Sequence, residues 1–148
     1  MTARVFVDTN VLIYARDRKD EAKRAKARAW LKALAETGLA HLNLQVLNEF
    51  TRWVLANEPH RLLGDVRKEV DALREWGDKP LDDEEVELGW AIRKRLGYQW
   101  FDCLLIAAAH LSECTYFLTE DMGKGAVFGS ITLLHPFDND PSEILPKH

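Results

Sequence analysis

Long apolar runs are missing from this chain of 148 residues. None approaches the roughly 20 residues that a helix needs to cross a bilayer, and the N-terminus enters a strand-like stretch with no charged-then-apolar leader pattern. A cytoplasmic protein without membrane association is the expectation. Cysteine is scarce, with Cys103 and Cys114 alone. Read as two points on one helix, they stand roughly 16 Å apart, too far for a disulfide, so both are expected to be buried thiols. An excess of positive charge is also missing: 20 Lys plus Arg against 24 Asp plus Glu leave a net charge of −4. A generally basic surface is thereby excluded, although a local basic face is not. The five histidines, His41, His60, His110, His135 and His148, show no spacing that suits a shared metal. His110 lies in an apolar stretch and reads as a core histidine with a satisfied hydrogen bond. There is no repeat, no low-complexity segment and no linker, so one domain with one core is expected.

What is present is an alternation of short apolar runs with amphipathic stretches. Val5-Phe6-Val7 has high strand propensity and polar flanks, as a strand buried on both faces should. A helical turn follows at 11–15, then a helix over 20–36 with Ala22, Ala25, Ala29, Trp30, Ala33 and Leu34 at helical spacing. Its other face carries Lys19, Lys23, Arg24, Lys26 and Arg28, either a solvated face or a contact for RNA or a partner. Gly38 suits the left-handed end of that helix. A short strand at 39–42 leads to a helix over 44–57 that Asn43 can cap. A further amphipathic helix covers 61–76, with Leu62, Leu63, Val66, Val70 and Leu73 as its buried side. Residues 77–81 form a turn or short exposed strand. A helix capped by Asp82 or Asp83 then runs to Leu96, its terminal Arg93-Lys94-Arg95 matching the helix dipole. Residues 100–111 are apolar almost all round, which marks a central buried helix. Strands at 115–119 and 130–134 flank a loop at 122–128, and residues 138–148 form a polar tail. Strands alternating with helices predict an α/β fold with a central, mainly parallel β-sheet flanked by helices.

Acidic residues stand at the ends of these core elements. Asp8 follows the first strand at once. Glu120 and Asp121 follow the strand at 115–119, and the residues alone leave open which of the two matters. Asp102 lies in the first turn of the buried helix, and Glu49 lies one turn into the helix at 44–57. If the first strand and the strand at 115–119 are parallel neighbours, their acids emerge at one sheet edge, where open α/β sheets bind ligands. Carboxylates gathered so closely raise each other's pKa, and divalent metal removes that penalty. Mg²⁺ and Mn²⁺ take oxygen ligands and keep open water positions, which suits phosphodiester hydrolysis. Asn10 and Thr119 are placed to orient the carboxylates. Each acid also has a plain structural reading, as a helix cap or a surface group.

Four stretches, in order, resemble the motifs of PIN-domain ribonucleases. They are Val5-Phe6-Val7-Asp8-Thr9-Asn10-Val11-Leu12-Ile13-Tyr14, then Gln45-Val46-Leu47-Asn48-Glu49-Phe50, then the run from Trp100 to Ala109 around Asp102, and Leu118-Thr119-Glu120-Asp121-Met122. His135-Pro136-Phe137 closes the likeness in the usual place. The toxins of prokaryotic toxin–antitoxin pairs, the VapC type, are the most similar branch. The resemblance implies a single PIN-like nuclease domain over residues 1–137 with a polar tail at 138–148. It also implies Mg²⁺- or Mn²⁺-dependent cleavage of RNA, homodimers, and inhibition by a small cognate antitoxin protein. Carried over position by position, it assigns Asp8, Glu49, Asp102 and Asp121 as catalytic and metal-binding residues, with Asn10 and Thr119 as their polar helpers. Leu44 departs from the pattern, standing where Ser or Thr is usual, and Asn43 takes over the capping. The tail is also longer than the pattern leads one to expect.

Rival readings fit less well. A phosphatase with an aspartate nucleophile of the haloacid-dehalogenase kind needs a second aspartate where Asn10 stands. A phospho-accepting receiver domain needs paired acids before its aspartate and a lysine after a late strand, and this chain has neither. An RNA-processing PIN nuclease without an antitoxin, and a non-catalytic PIN scaffold that binds a protein partner, remain as alternatives. A dead scaffold is expected to have lost an acid, and all four are present.

Overall fold

The computed structural model describes residues 3–123 and 125–146. Lys124, within the expected loop, and Lys147 and His148, at the end of the tail, lie outside the described residues. Strand β1 (Val5–Val7) is buried along its whole length. Three consecutive apolar side chains, alternating from face to face, are all covered only in the middle of a sheet. Accordingly β1 pairs in parallel with β2 (Ala40–His41) on one side and with β3 (Tyr116–Leu118) on the other. Strand β5 (Ile131–Leu134) adds in parallel to β3, and β4 (Val127–Phe128) closes the edge antiparallel to β5. The order β2-β1-β3-β5-β4 is the mainly parallel α/β sheet expected from the alternation of elements.

From β1 the chain crosses to β2 on one side, and it returns much later to β3 on the other. Between the carboxyl ends of β1 and β3 the winding reverses, which is where an open α/β sheet leaves a crevice. Helices pack around the sheet: α1 (Thr9–Tyr14), α2 (Glu21–Thr37), α3 (Leu44–Asn57), α4 (Leu63–Leu73), α5 (Asp83–Leu96) and α6 (Trp100–Leu111). Their starts follow from local chemistry. The side chains of Asp20, Asn43 and Asp82 accept the N–H groups of Lys23, Val46 and Glu85, each at 3.1 Å, satisfying donors that a helix start leaves orphaned. Gly38 ends α2 at φ +70°. Gly77, at φ +136°, passes so close to the Leu42 carbonyl that a Cβ would lie 2.1 Å from it. Helix α6 buries every residue from Cys103 to Ala109, as its lack of a polar face requires.

Several expectations are corrected. Leu62 and Leu63 are 72% and 73% exposed. Helix α4 starts at Leu63, and its burial begins at Val66; periodicity selects a face but not the point along it where a neighbour covers it. The helix expected to run to Trp76 tightens into a 3-10 turn at Arg74–Trp76. Part of the expected loop at 122–128 is the edge strand β4, whose extended form comes from its pairing with β5 across a two-residue link with Gly129 at φ +59°. Cys114 lies beyond the end of α6, so the two cysteines do not share a helix; both are buried free thiols, and burial pushes the Cys114 thiol up to about 12. His110 is half-buried against Phe128, and its Nδ1 has no hydrogen-bond partner among the described residues, contrary to the satisfied core histidine expected. Glu85, which shares the inward face of α5 with Ile92, is buried and ion-paired with Lys79. Among the described residues no helix is long and apolar enough to cross a membrane.

Residues 138–146 continue against α2. Trp30, 1% exposed, donates its indole N–H to the carbonyls of Pro136 at 2.9 Å and Asn139 at 3.1 Å. Asp140 and Glu143 form a reciprocal capping box on a 3-10 turn at Pro141–Glu143, and Leu145 is buried. Trp30→Phe leaves two carbonyls without their donor and is expected to lower stability in urea by about 1–3 kcal/mol. Trp30→Ala is expected to lower it by about 3–5 kcal/mol. Limited proteolysis should cut the Trp30→Phe protein faster within 136–146. Equal stability and equal protection would show that the indole N–H does not hold this segment.

Candidate active site

The register of β1 on β3 decides what meets at the crevice. Val7 pairs with Leu118, so the next residues, Asp8 and Thr119, emerge side by side. The Asp8 N–H still bonds to the Leu118 carbonyl at 3.0 Å, while its side chain turns to cap α1. Asp8 Oδ1 accepts the Thr9 N–H at 2.7 Å, and Oδ2 accepts the Thr119 hydroxyl, also at 2.7 Å. Asn10, one residue further round the first turn of α1, shares its amide Nδ2 among Asp121 Oδ2 at 2.9 Å, Thr119 Oγ1 at 3.2 Å and Asp8 Oδ2 at 3.3 Å. The Asp121 N–H in turn donates to Thr119 Oγ1 at 3.1 Å. Asp8, Asn10, Thr119 and Asp121 therefore form one hydrogen-bonded unit.

The other two acids approach from helices. Glu49, on α3, accepts the Thr9 hydroxyl at 2.9 Å through Oε2 and the Gln45 amide at 3.0 Å through Oε1. Gln45 Nε2 also donates to the Phe101 carbonyl at 3.3 Å, which ties α3 to the first turn of α6. Asp102 sits in that turn and accepts no hydrogen bond from a described residue. Its charge is felt by Asp8, and it feels those of Asp121 and Glu49. Hydrogen bonds thus join Asp8 and Asp121 through Asn10, Glu49 connects to them through Thr9, and Asp102 lies within electrostatic reach of Asp8, Asp121 and Glu49.

Glu120 and Asp121 part company here. Asp121 points to Asn10. Glu120 turns the other way, accepting the Tyr14 hydroxyl at 3.2 Å and Lys23 Nζ at 2.9 Å. Lys23 Nζ also lies 4.9 Å from the Tyr14 ring centre and 5.1 Å from that of Phe137. The basic face of α2 is divided among tasks: Lys23 holds Glu120, Lys26 reaches the Phe137 carbonyl and Arg28 the Ala15 carbonyl, each at 2.9 Å. Arg24 and Arg28 also line a basic cleft of about 620 Å³ with Arg16, Arg18 and Lys19, and this cleft contains none of the four acids.

Electrostatically the crevice is unfavourable as it stands. Asp8 is 4% exposed. Burial pushes its carboxyl up to about 7 against the lowering hydrogen bond from Thr119, and Asp102 and Asp121 add to the rise. Asp102 is raised as well, first by burial and then by Asp121 and Glu49. Among the described residues no three His, Cys, Asp or Glu side chains are close enough to form a ready-made metal site. The donor set is nonetheless all oxygen, the preference of hard divalent cations, and Mg²⁺ habitually completes its sphere with water. Thr9 and Gln45 are the residues that sequence reasoning missed. Gln45 stands four residues before Glu49 and so shares its helix face, a signal that was available. Thr9 was legible as a cap neighbour but not as the bridge from α1 to Glu49.

The PIN domain family model matches residues 5–123. Solved structures share the fold at low identity. A toxin–antitoxin complex from Klebsiella pneumoniae is 18% identical, with 88% of this chain and 96% of that chain covered and a TM-score of 0.61. VapBC2 from Rickettsia felis, bound to a DNA fragment from its promoter, is 14% identical, covering 88% and 97% with a TM-score of 0.61. VapC20 from Mycobacterium tuberculosis, a toxin that cleaves the sarcin–ricin loop, is 14% identical, covering 76% and 86% with a TM-score of 0.56. No curated protein sequence matches the chain. The family match spans far more than half of the 148 residues and includes all four acids of the crevice: the chain belongs to the PIN domain family.

Proposed function

We propose that the chain is a divalent-cation-dependent endoribonuclease and the toxin of a cytoplasmic toxin–antitoxin pair. One observation carries the nuclease reading: Asp8 is hydrogen-bonded into a unit with Asp121, Glu49 joins it through Thr9, and Asp102 interacts electrostatically with all three, so that burial and mutual repulsion raise the Asp8 carboxyl to about 7 and also raise that of Asp102. Mg²⁺ or Mn²⁺ would be held by Asp8, Asp102 and Asp121, with Glu49 as a further ligand, directly or through water. When bound, such a cation supplies Lewis acidity and an activated water at neutral pH. The chain's own groups supply orientation. Thr119 and the Thr9 N–H fix the Asp8 carboxylate, Asn10 spans Asp8 and Asp121, and Thr9 and Gln45 hold Glu49 from both sides. The toxin role is supported by the kinship in fold with toxins and toxin–antitoxin complexes. On this reading, expressing the chain alone halts growth, and co-expressing a small cognate antitoxin restores it. An RNA-processing nuclease would show cleavage without that rescue. A homodimer is part of the same reading, with sedimentation velocity as its check.

Asp8→Asn and Asp102→Asn are expected to lower Mn²⁺-dependent cleavage of single-stranded RNA by roughly 10²-fold or more, with the circular dichroism spectrum unchanged. Asn10→Ala, which removes an orienting group, should lose about 10–100-fold. Asp121→Asn should follow the first two, whereas Glu120→Gln should retain activity because Glu120 faces Lys23 and Tyr14. Full activity in Asp8→Asn or Asp102→Asn would remove the proposal.

The raised Asp8 carboxyl also predicts a pH dependence. Its folded value, about 7, exceeds the ordinary 3.8, so the folded state holds this proton more tightly than the unfolded chain does. The associated stability is complete below pH ~4 and declines as pH rises to ~7, by about 4 kcal/mol in metal-free protein. Asp8→Asn should therefore be more stable than wild type at pH 8 in EDTA, and this advantage should vanish near pH 4. Mg²⁺ should raise the wild-type melting temperature more at pH 8 than at pH 5, since protons compete for the same oxygens. A wild-type-to-variant difference that does not change with pH, or an equal Mg²⁺ gain in Asp8→Asn, would contradict this account.

A further inference from the structure

Next to the carboxylates lies a cleft of about 470 Å³, a size typical of small-ligand sites. One wall is a single face of α3, with Gln45, Asn48, Glu49 and Arg52 at helical spacing; Leu81 and Phe101 supply apolar lining. Glu49 belongs to both the cleft and the crevice. Gln45 ties Glu49 to the Phe101 carbonyl, and Phe101 immediately precedes Asp102. Any group seated here is therefore coupled to the acids by a short, hydrogen-bonded connection.

The lining is unusual for a surface groove. Phe101 is 64% exposed, although it belongs to the helix that otherwise forms the buried centre of the domain. Arg52 and Asn48 are exposed, and neither has an ion-pair or hydrogen-bond partner among the described residues. A flat aromatic face, two amides and a free guanidinium are the groups that recognise a nucleotide. The ring stacks a base, an amide offers both donor and acceptor to a base edge, and a guanidinium forks onto phosphate oxygens.

We propose that this cleft holds a nucleotide of the RNA strand next to the scissile phosphate, with its base on Phe101, its edge read by Asn48 and a phosphate on Arg52. The cleft is then what sets base preference at one position beside the cut. The inference rests on the nuclease reading above for its substrate class, and its test separates the two.

Binding is measured by anisotropy of a fluorescein-labelled single-stranded RNA on the full chain carrying Asp8→Asn, so that no cleavage intervenes. Adding Phe101→Ala should weaken binding about tenfold, and Phe101→Tyr should restore it. Arg52→Gln should weaken binding and flatten its salt dependence by about one phosphate contact. In a parallel arm with active protein, RNA oligonucleotides carry one abasic residue moved stepwise along the strand. Wild type should slow at one position beside the cut, and Phe101→Ala should be indifferent to that same position. Equal binding with and without Phe101→Ala overturns the proposal. So does a loss of dimer in sedimentation on Phe101→Ala with RNA affinity per chain unchanged, which would make this face a contact between two copies. Binding that depends on Phe101 in a protein that never cleaves RNA would uphold the cleft and overturn the nuclease reading instead.

Discussion

The buried carboxylate of Asp8, at the end of the central strand, is the constraint on which the rest of the structure turns. A charge in that position is unfavourable unless it is neutralised or richly hydrogen-bonded. The adjacent Thr9 N–H supplies one hydrogen bond as part of the helix cap, and Thr119 supplies the other, which exists only because β1 and β3 are parallel neighbours in one particular register. A slip of one residue would turn Thr119 to the opposite face of the sheet. The strands that make the core therefore also set the geometry of the crevice.

Around Asp8 the remaining acids are held by polar neighbours with little contribution from bulk. Asn10 joins the ends of β1 and β3 across Asp8 and Asp121, and Thr9 and Gln45 brace Glu49 between α1 and α6. Asp102 lacks such a brace, and it occupies the first turn of α6, where the helix dipole favours its charge. The adjacent acids Glu120 and Asp121 show how finely the loop is divided. One is drawn to Lys23 and the hydroxyl of Tyr14, on the outside; the other stays with Asn10. Opposite charge on α2 thus fixes the direction of the loop that carries Asp121.

Much of the fold was legible because local and global preferences agreed. The bounds of α3 and α6, the caps at Asn43 and Asp82, and the left-handed end at Gly38 all follow from nearby residues. The expectations that failed concern partners distant in the chain. Strand β4 is two residues long and is extended because β5 is beside it. Leu62 and Leu63 carry the right period with nothing over them. His110 packs against the ring of Phe128, and its Nδ1 finds no hydrogen-bond partner among the described residues. None of these is a property of a single window of sequence.

At the site the same division holds. The amino-acid sequence by itself determined that acids stand at the ends of core elements, that the sheet is mainly parallel, and that the chain resembles PIN domains, because periodicity, capping and strand propensity are short-range. Tertiary structure alone decided that Asp121 and not Glu120 faces Asn10, that Thr9 bridges to Glu49, and that Phe101 stands in solvent beside the acids. Those outcomes depend on strand register and on which helix lies across which, and both are settled by contacts between residues a hundred positions apart.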